Sequence, residues 1–475
     1  MAVNTLLSDF DKLAPRFDVQ ASQVSIIATP EDFYNTLKNK ILSAKSHVFL
    51  STLYIGKGET DLIDTIREAL KRNPQLKVSI LTDMLRGTRE HPRSSCLSLL
   101  ADLFREFPKR VEVSMYHTPN LHGYKKALLP PRINEGWGLQ HMKLYGFDDE
   151  IILSGANLSN DYFTNRQDRY HLISSANVTR YYRRIYDAVC KLSCPLTFTD
   201  KEATNATLQW QHADGMPNPI THPTEYIEAA TKELTPLIKS FQGSQNPDAD
   251  THIYPLFQFT PITKPDASTE LPGMKLLLSR LATPGFAGSS WTFTAGYFNM
   301  TPDIRDRLLA TNPVQGTVIA ASPWANGFYG SKGISGMLPA AYTHMAKQFL
   351  STVTTLKLSD KIQLKEWRYG TVNEPGGWTY HAKGLWITLP EQKDPSVTII
   401  GSSNYTKRSY SLDLEGNALI VTTNPGLRSR LGEEQAWLQK HATVVKPEDL
   451  ERSERRVGFH VRIAMWIVTL VGGAL

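Results

Sequence analysis

Two short runs of this chain pair a histidine with a lysine two residues on: His141-Met142-Lys143 and His381-Ala382-Lys383. Each leads to a small-residue turn that ends in asparagine, Ser154-Gly155-Ala156-Asn157 and Gly401-Ser402-Ser403-Asn404. Asp148 completes the first run, and Thr388 stands at the matching place in the second. Eleven residues beyond each asparagine comes a carboxylate, Asp168 after Asn157 and Glu415 after Asn404. One His-x-Lys in a strand is ordinary. A doubled one, with doubled asparagine turns and doubled carboxylates, points to one composite site.

These residue types suit phosphoryl chemistry. A neutral imidazole can attack phosphorus and form a phospho-histidine, dividing one difficult displacement into two easier ones. A second imidazole can protonate the leaving oxygen and later deprotonate an acceptor. Lys143 and Lys383 offset charge on the non-bridging oxygens, and Asn157 and Asn404 add donors. A carboxylate accepting from imidazole Nδ1 leaves Nε2 free to act. Asp168 and Glu415 are therefore expected to aim His141 and His381. Asp148, a motif residue and site candidate, is expected to fix a hairpin turn, which makes its replacement by Thr388 tolerable. No carboxylate cluster suited to a metal stands out, and the scheme calls for no cofactor.

The elements that must position these groups repeat as well. His47–Tyr54 reads as a strand, residues 61–72 as a helix with Leu62, Ile63, Ile66 and Leu70 on one face, and Lys77–Asp83 as a strand. The second half repeats the order with strand 291–297, helix 302–310 and strand 316–322. Tyr54 precedes His141 by 87 residues, and Tyr297 precedes His381 by 84. Both tyrosines end matching strands. Core packing is expected of them, with the mouth of a site as the other reading. Each His-x-Lys opens a strand, 141–147 and 381–389, and alternation puts the histidine and lysine on one face. Strands alternating with helices predict an α/β fold. The expectation is two α/β sandwich halves packed pseudo-symmetrically with the active site between them. The first half spans 1–200, a connecting region 201–280, the second half 281–450, and a basic and apolar tail 451–475.

Composition sets the frame. With 475 residues, 41% hydrophobic and 21% charged, the chain is a globular protein with large cores, not a disordered one. A net charge of +6 and a pI near 8.9 permit anionic substrates or membrane surfaces without demanding nucleic acid. Three cysteines, Cys96, Cys190 and Cys194, argue against a disulfide framework and fit a reducing compartment. Buried structural roles are expected of Cys190 and Cys194 rather than zinc binding. No run reaches the roughly 20 apolar residues needed to span a bilayer. Asp9 and Asp11 make the start a poor targeting peptide, so any such segment is expected to be missing from this chain.

The doubled motif resembles that of the phospholipase D superfamily, H-x-K-x4-D followed by G-S-x-N. The stretches 138–143, 153–170, 321–333 and 378–386 are similar to the phosphatidylglycerophosphate synthase branch, and the likeness runs over nearly the whole chain. Thr388 and the Ser-Gly-Ala-Asn turn depart from the superfamily pattern without removing a residue that a two-histidine reaction needs. The resemblance implies an enzyme that transfers a phosphatidyl group from CDP-diacylglycerol to glycerol 3-phosphate and releases CMP. It implies a place in phosphatidylglycerol and cardiolipin synthesis, peripheral or monotopic at the mitochondrial inner membrane on the matrix side. His141, whose motif is complete, is then the nucleophile, and His381 the acid and base. A phosphodiesterase of the same superfamily and a non-catalytic lipid-binding scaffold are the alternatives; retention of both His, both Lys and both Asn argues against the scaffold.

Glycerol 3-phosphate is a dianion at neutral pH, so its pocket needs cations or backbone donors. Candidates are Arg166 and Arg169 after the first motif, Lys407 and Arg408 after the second, and Asn326 and Lys332 in the glycine-rich loop 321–333. An anionic membrane surface is the other expected partner. The tail carries Arg452, Arg455, Arg456 and Arg462 before an apolar run too short to span, which suits an interfacial anchor. The basic and apolar run 122–132 is a second candidate.

Overall fold

Lys77–Asp83 and Gly316–Ala321 are buried along most of their length, the pattern of strands covered on both faces. Each is an interior strand, paired on both sides, of its own sheet. The computed structural model describes residues 2–91, 93–123, 126, 131–197, 207–210, 215–458 and 461. Among them are two nine-stranded sheets. The first runs Thr207–Leu208, Cys194–Thr197, Val111–Tyr116, Lys77–Asp83, His47–Ser51, Leu144–Phe147, Glu150–Ser154, Tyr170–Ser174, Val24–Ile27. The second runs Ala442–Val444, Ile362–Trp367, Gly316–Ala321, Ser290–Ala295, Lys383–Thr388, Val397–Gly401, Glu415–Thr422, Thr251–Gln258, Phe17–Val19.

Order and sense repeat from sheet to sheet. In each, three adjacent strands run parallel, and the hairpin that begins beside the His-x-Lys run joins them antiparallel. Helices Thr60–Arg72 and Pro302–Ala310 make the first crossover of each half, as their apolar spacing predicts. One core lies between the sheets, where Met142, Leu144, Ile151 and Leu153 share a continuous cluster with Trp386, Ile400, Ala418 and Ile420. Two further cores cover the outer faces, around Leu50 and Ile80 on one side and Phe293 and Leu385 on the other.

The sheets do not divide where the expected boundaries fall. Helix Ala2–Phe10 and strand Phe17–Val19 belong with the second sheet, through Leu6 and Phe10 in its outer core and pairing with Thr251–Ile253. Residues 201–280, expected to be a connection, contain strand Thr251–Gln258, which pairs along its whole length with Glu415–Thr422. Pro255 disguised that strand, because proline has no N–H to give a ladder. Here the neighbour on the other side covers only 251–253, so the site of the missing donor faces no partner strand. Helix Pro223–Lys239 packs into the shared core through Tyr226, Ala230, Leu234 and Ile238.

All three cysteines are free, with Cys96 and Cys194 buried. No described helix is long and apolar enough to cross a membrane. Of the expected membrane segments, 124–125, 127–130, 459–460 and 462–475 lie outside the described residues. Within the described part of the tail, Arg455 is buried in an ion pair with Glu366, so it belongs to the fold rather than to an anchor; Arg452 and Arg456 are exposed.

Candidate active site

Each histidine is laid along a strip of the opposite half. The His141 N–H donates to the Leu414 carbonyl at 2.9 Å, and the His381 N–H to the Gln167 carbonyl at 2.8 Å. Leu414 and Gln167 immediately precede the two carboxylates, which fixes the side-chain partners. His141 Nδ1 is 2.9 and 3.1 Å from the Glu415 oxygens, and His381 Nδ1 is 2.6 Å from Asp168 Oδ2. The spacing of eleven identifies both carboxylates but not their assignment: each serves the histidine of the other motif.

Burial drives both imidazoles well below their ordinary value of 6.5, with Lys143 acting in the same sense on His141 and Lys383 on His381. Burial also raises Asp168, and raises Glu415 to about 7 against the pull of Lys143. Each pair thus shares one proton between Nδ1 and carboxylate, which leaves an uncharged ring with its lone pair on Nε2. Burial lowers Lys383 and brings Lys143 down to about 7. Each lysine Nζ donates to its own histidine's carbonyl at 2.7 Å, and Lys383 also lies 3.6 Å from Asp168.

The small-residue turns differ for a packing reason. Ser402 Oγ donates to Glu415 at 2.5 Å. Gly155 stands at the matching place, where a Cβ would come within 2.7 Å of Lys383 Nζ and 2.9 Å of Asp168 Oδ1. The Ser-Gly-Ala-Asn order clears that space.

The histidines open onto a cavity of about 440 Å³ that Asn157 and Asn404 also line. Asn157 Nδ2 donates to the Tyr162 hydroxyl at 3.1 Å, and that hydroxyl lies 3.3 Å from His381 Nε2. The Oδ1 atoms of Asn157 and Asn404 are buried without a hydrogen-bond partner among the described residues. Tyr54 and Tyr297 do both: each packs against the outer core of its half and lines the cavity. Its cations are Arg86, Arg89, Arg166 and Arg408.

The other expected site residues lie elsewhere. Arg169 is buried, donating to Glu434 through Nε and Nη2 at 2.9 Å and to the Ile399 carbonyl at 2.7 Å, with its guanidinium over Trp386. It fills the space Gly384 leaves, where a Cβ would clash at 1.9 Å, so Arg169, expected as a substrate ligand, is instead a structural residue. Lys407 and Lys332 are exposed and off the cavity wall. Asn326 is buried and accepts from the Phe328 N–H at 2.9 Å; its loop reaches the cavity through Gly327, Phe328 and Ser331 instead. Asp148 accepts from the backbone N–H of Lys45, Ser46 and His47, which places it in the hairpin turn and not among the catalytic groups.

Sequence reasoning passed over Arg86, Arg89 and Tyr162. Arg86 and Arg89 follow the C-terminal end of the parallel strand Lys77–Asp83, the usual place for functional groups in such sheets. Their presence there was the available signal. Arg89 forms a forked ion pair with Glu135, and Arg86 lies over the Tyr54 ring at 3.9 Å.

Aligning the motifs on their asparagines reveals an inverted pair of charges. Asp161 and Arg166, four and nine residues after Asn157, form an ion pair at 2.7 Å. Arg408 and Asp413, at the same offsets from Asn404, form one at 2.8 Å with the signs exchanged. Among the described residues no cluster of His, Cys, Asp or Glu is suited to a metal ion.

No family model matches the chain. The crystal structure of phosphatidylserine synthase from Haemophilus influenzae superposes with a TM-score of 0.73, over 99% of this chain and 97% of that one, at 19% identity. The fold is therefore that of this phosphatidylserine synthase. The chain is 44% identical to the CDP-diacylglycerol–glycerol-3-phosphate 3-phosphatidyltransferase of Saccharomyces cerevisiae, over 98% of this chain and 91% of that protein. It is 37% identical to the human enzyme of the same name, designated mitochondrial, over 95% of this chain and 83% of that one. The chain belongs to the CDP-diacylglycerol–glycerol-3-phosphate 3-phosphatidyltransferase family.

Proposed function

We propose that this protein transfers the phosphatidyl group of CDP-diacylglycerol to glycerol 3-phosphate, giving phosphatidylglycerophosphate and CMP. The observation that carries the reading is the pair of crossed carboxylate–histidine contacts facing one cavity. In the first step Nε2 of His141 bonds to the lipid-side phosphorus as the bond to the CMP oxygen breaks, and His381 gives that oxygen a proton. In the second step a hydroxyl of glycerol 3-phosphate gives its proton to His381, and its oxygen displaces Nε2. Support for His141 as nucleophile is that its Nε2 has no hydrogen bond among the described residues, whereas the Tyr162 hydroxyl occupies that of His381. Lys143 and Lys383 sit beside the imidazoles, where they offset negative charge on the phosphoryl oxygens.

The lipid substrate requires membrane contact, and the mitochondrial designation of the human relative supports a place on that organelle's inner membrane. The experiment supplies CDP-diacylglycerol with and without glycerol 3-phosphate. Phosphatidylglycerophosphate formed only with the acceptor supports the transferase. Phosphatidic acid formed with water as acceptor makes the protein a phosphodiesterase, and no turnover makes it a scaffold.

A further inference from the structure

We infer that the Arg166 corner of the cavity is a single phosphate seat used twice, first by the CMP phosphate leaving the donor and then by the phosphate of glycerol 3-phosphate. The inference rests on the two-step reading above with His141 as nucleophile. In-line displacement puts the leaving group opposite the attacking atom, and the acceptor returns along the same path. Both therefore occupy the side of the acid-base residue, His381.

That side is built for an anion. The Tyr162 ring meets His381 edge-on at 5.1 Å, and the Arg166 guanidinium lies over Tyr162 at 4.5 Å. Arg166 is held by Thr379 Oγ1 at 2.9 Å and by Asp161 at 2.7 Å, while its Nη1 makes no hydrogen bond among the described residues. Gly327 keeps the space before it open: a Cβ there would stand 3.1 Å from Arg166 Nη2 and 3.4 Å from the Tyr297 hydroxyl. The matching corner beside His141 holds the same kind of pair with the two residues exchanged. Asp413 takes the place of Arg166, and Arg408 donates to Asp413 at 2.8 Å and to the Glu135 carbonyl at 2.6 Å. In the first corner the arginine stands on the His381 side, where its charge reaches that imidazole. Burial, then Lys383 and Arg166, depress the proton affinity of His381. A phosphate seated on Arg166 offsets part of that charge, so His381 takes up its proton when an occupant is present.

The test uses the full chain in detergent and two assays. One is glycerol 3-phosphate-dependent product formation; the other is exchange of labelled CMP into CDP-diacylglycerol without acceptor. Arg166→Lys keeps the charge but loses the planar fork, and Gly327→Ala keeps the guanidinium but narrows the seat, its Cβ pressing on Arg166 Nη2 and the Tyr297 hydroxyl. Arg166→Lys is expected to raise the KM for glycerol 3-phosphate and the half-saturating CMP by a common factor of about tenfold or more. Gly327→Ala is expected to move both in the same direction. It also stands as the test should the arginine variant melt well below the wild type. An increase in one constant without the other overturns the shared seat, as does a paired increase in Arg408→Lys with none in Arg166→Lys. A wild-type protein that exchanges CMP but forms no acceptor-dependent product refutes the transfer reaction itself, which the two assays separate from failure of the seat.

Discussion

Asp168 Oδ2 lies 2.6 Å from His381 Nδ1, although Asp168 follows the first motif and His381 opens the second. The reciprocal contact joins Glu415 to His141 at 2.9 Å. Each motif supplies one imidazole and orients the other's.

Crossing makes the carboxylate variants distinguishable. In the proposed reaction, Glu415→Gln loosens the aim of His141 as nucleophile, and Asp168→Asn that of His381 as acid and base. Each is expected to slow turnover by about 10²- to 10⁴-fold. Rapid-quench measurement of the first CMP released separates them: Glu415→Gln loses the early phase, whereas Asp168→Asn keeps more of it than its steady-state rate implies. The reverse pattern assigns attack to His381.

The lysines set where the reaction titrates. Burial, then Lys143, holds the His141 imidazole below 6.5, so the neutral form persists to lower pH than usual. The acid limb of kcat/KM for CDP-diacylglycerol is expected below the ordinary imidazole range. Lys143→Met removes a positive charge, raises the proton affinity of the ring and moves that limb to higher pH, whatever it does to the maximum. A limb at unchanged pH would mean that the lysine's charge does not reach the ring.

Asp148 acts on stability. Its carboxylate accepts from three backbone N–H groups at 2.7 to 2.9 Å and from the Ser46 hydroxyl at 2.7 Å. Asp148→Ala is expected to cost about 1–3 kcal/mol of unfolding free energy with kcat unchanged, as read by denaturant melts beside initial rates. Burial works against its ionisation, but the N–H groups outweigh it and hold the carboxyl below 3.8. A depressed carboxyl stabilises above its ordinary value and loses that contribution as pH falls through the folded one. The gap between wild type and variant is therefore expected to narrow in acid.

Arg169 gives the complementary case. Arg169→Met leaves Glu434 buried with only His171 and Trp386 as partners, at 3.0 and 2.9 Å. A loss of about 3–5 kcal/mol is expected, with the KM for glycerol 3-phosphate unchanged. Pairing it with Glu434→Leu is expected to recover much of the loss. A raised KM in the folded variant would restore Arg169 to the substrate pocket.

The sequence made the repeat legible, because doubled His-x-Lys runs, asparagine turns and carboxylates survive as local spacing. The strand Thr251–Gln258 escaped because Pro255 contradicts the local pattern, and only the short neighbouring strand makes it acceptable. The partners of Asp168 and Glu415 were out of reach for a different reason. Contacts across 213 and 274 residues depend on how two sheets dock, which no window along the chain records. Arg166 and Arg169 looked alike on paper. Three positions separate them, yet one faces the cavity and the other fills the notch above Gly384.

The backbone bonds from His141 to Leu414 and from His381 to Gln167 have a consequence for biogenesis. During synthesis the first ribosome-emergent half holds an imidazole with nothing to aim it, and the finished centre appears in one event when the second sheet seats. A nascent or cleaved half is thus expected to be chemically silent toward lipid. Coexpressed halves are expected to regain turnover only to the extent that they reassociate.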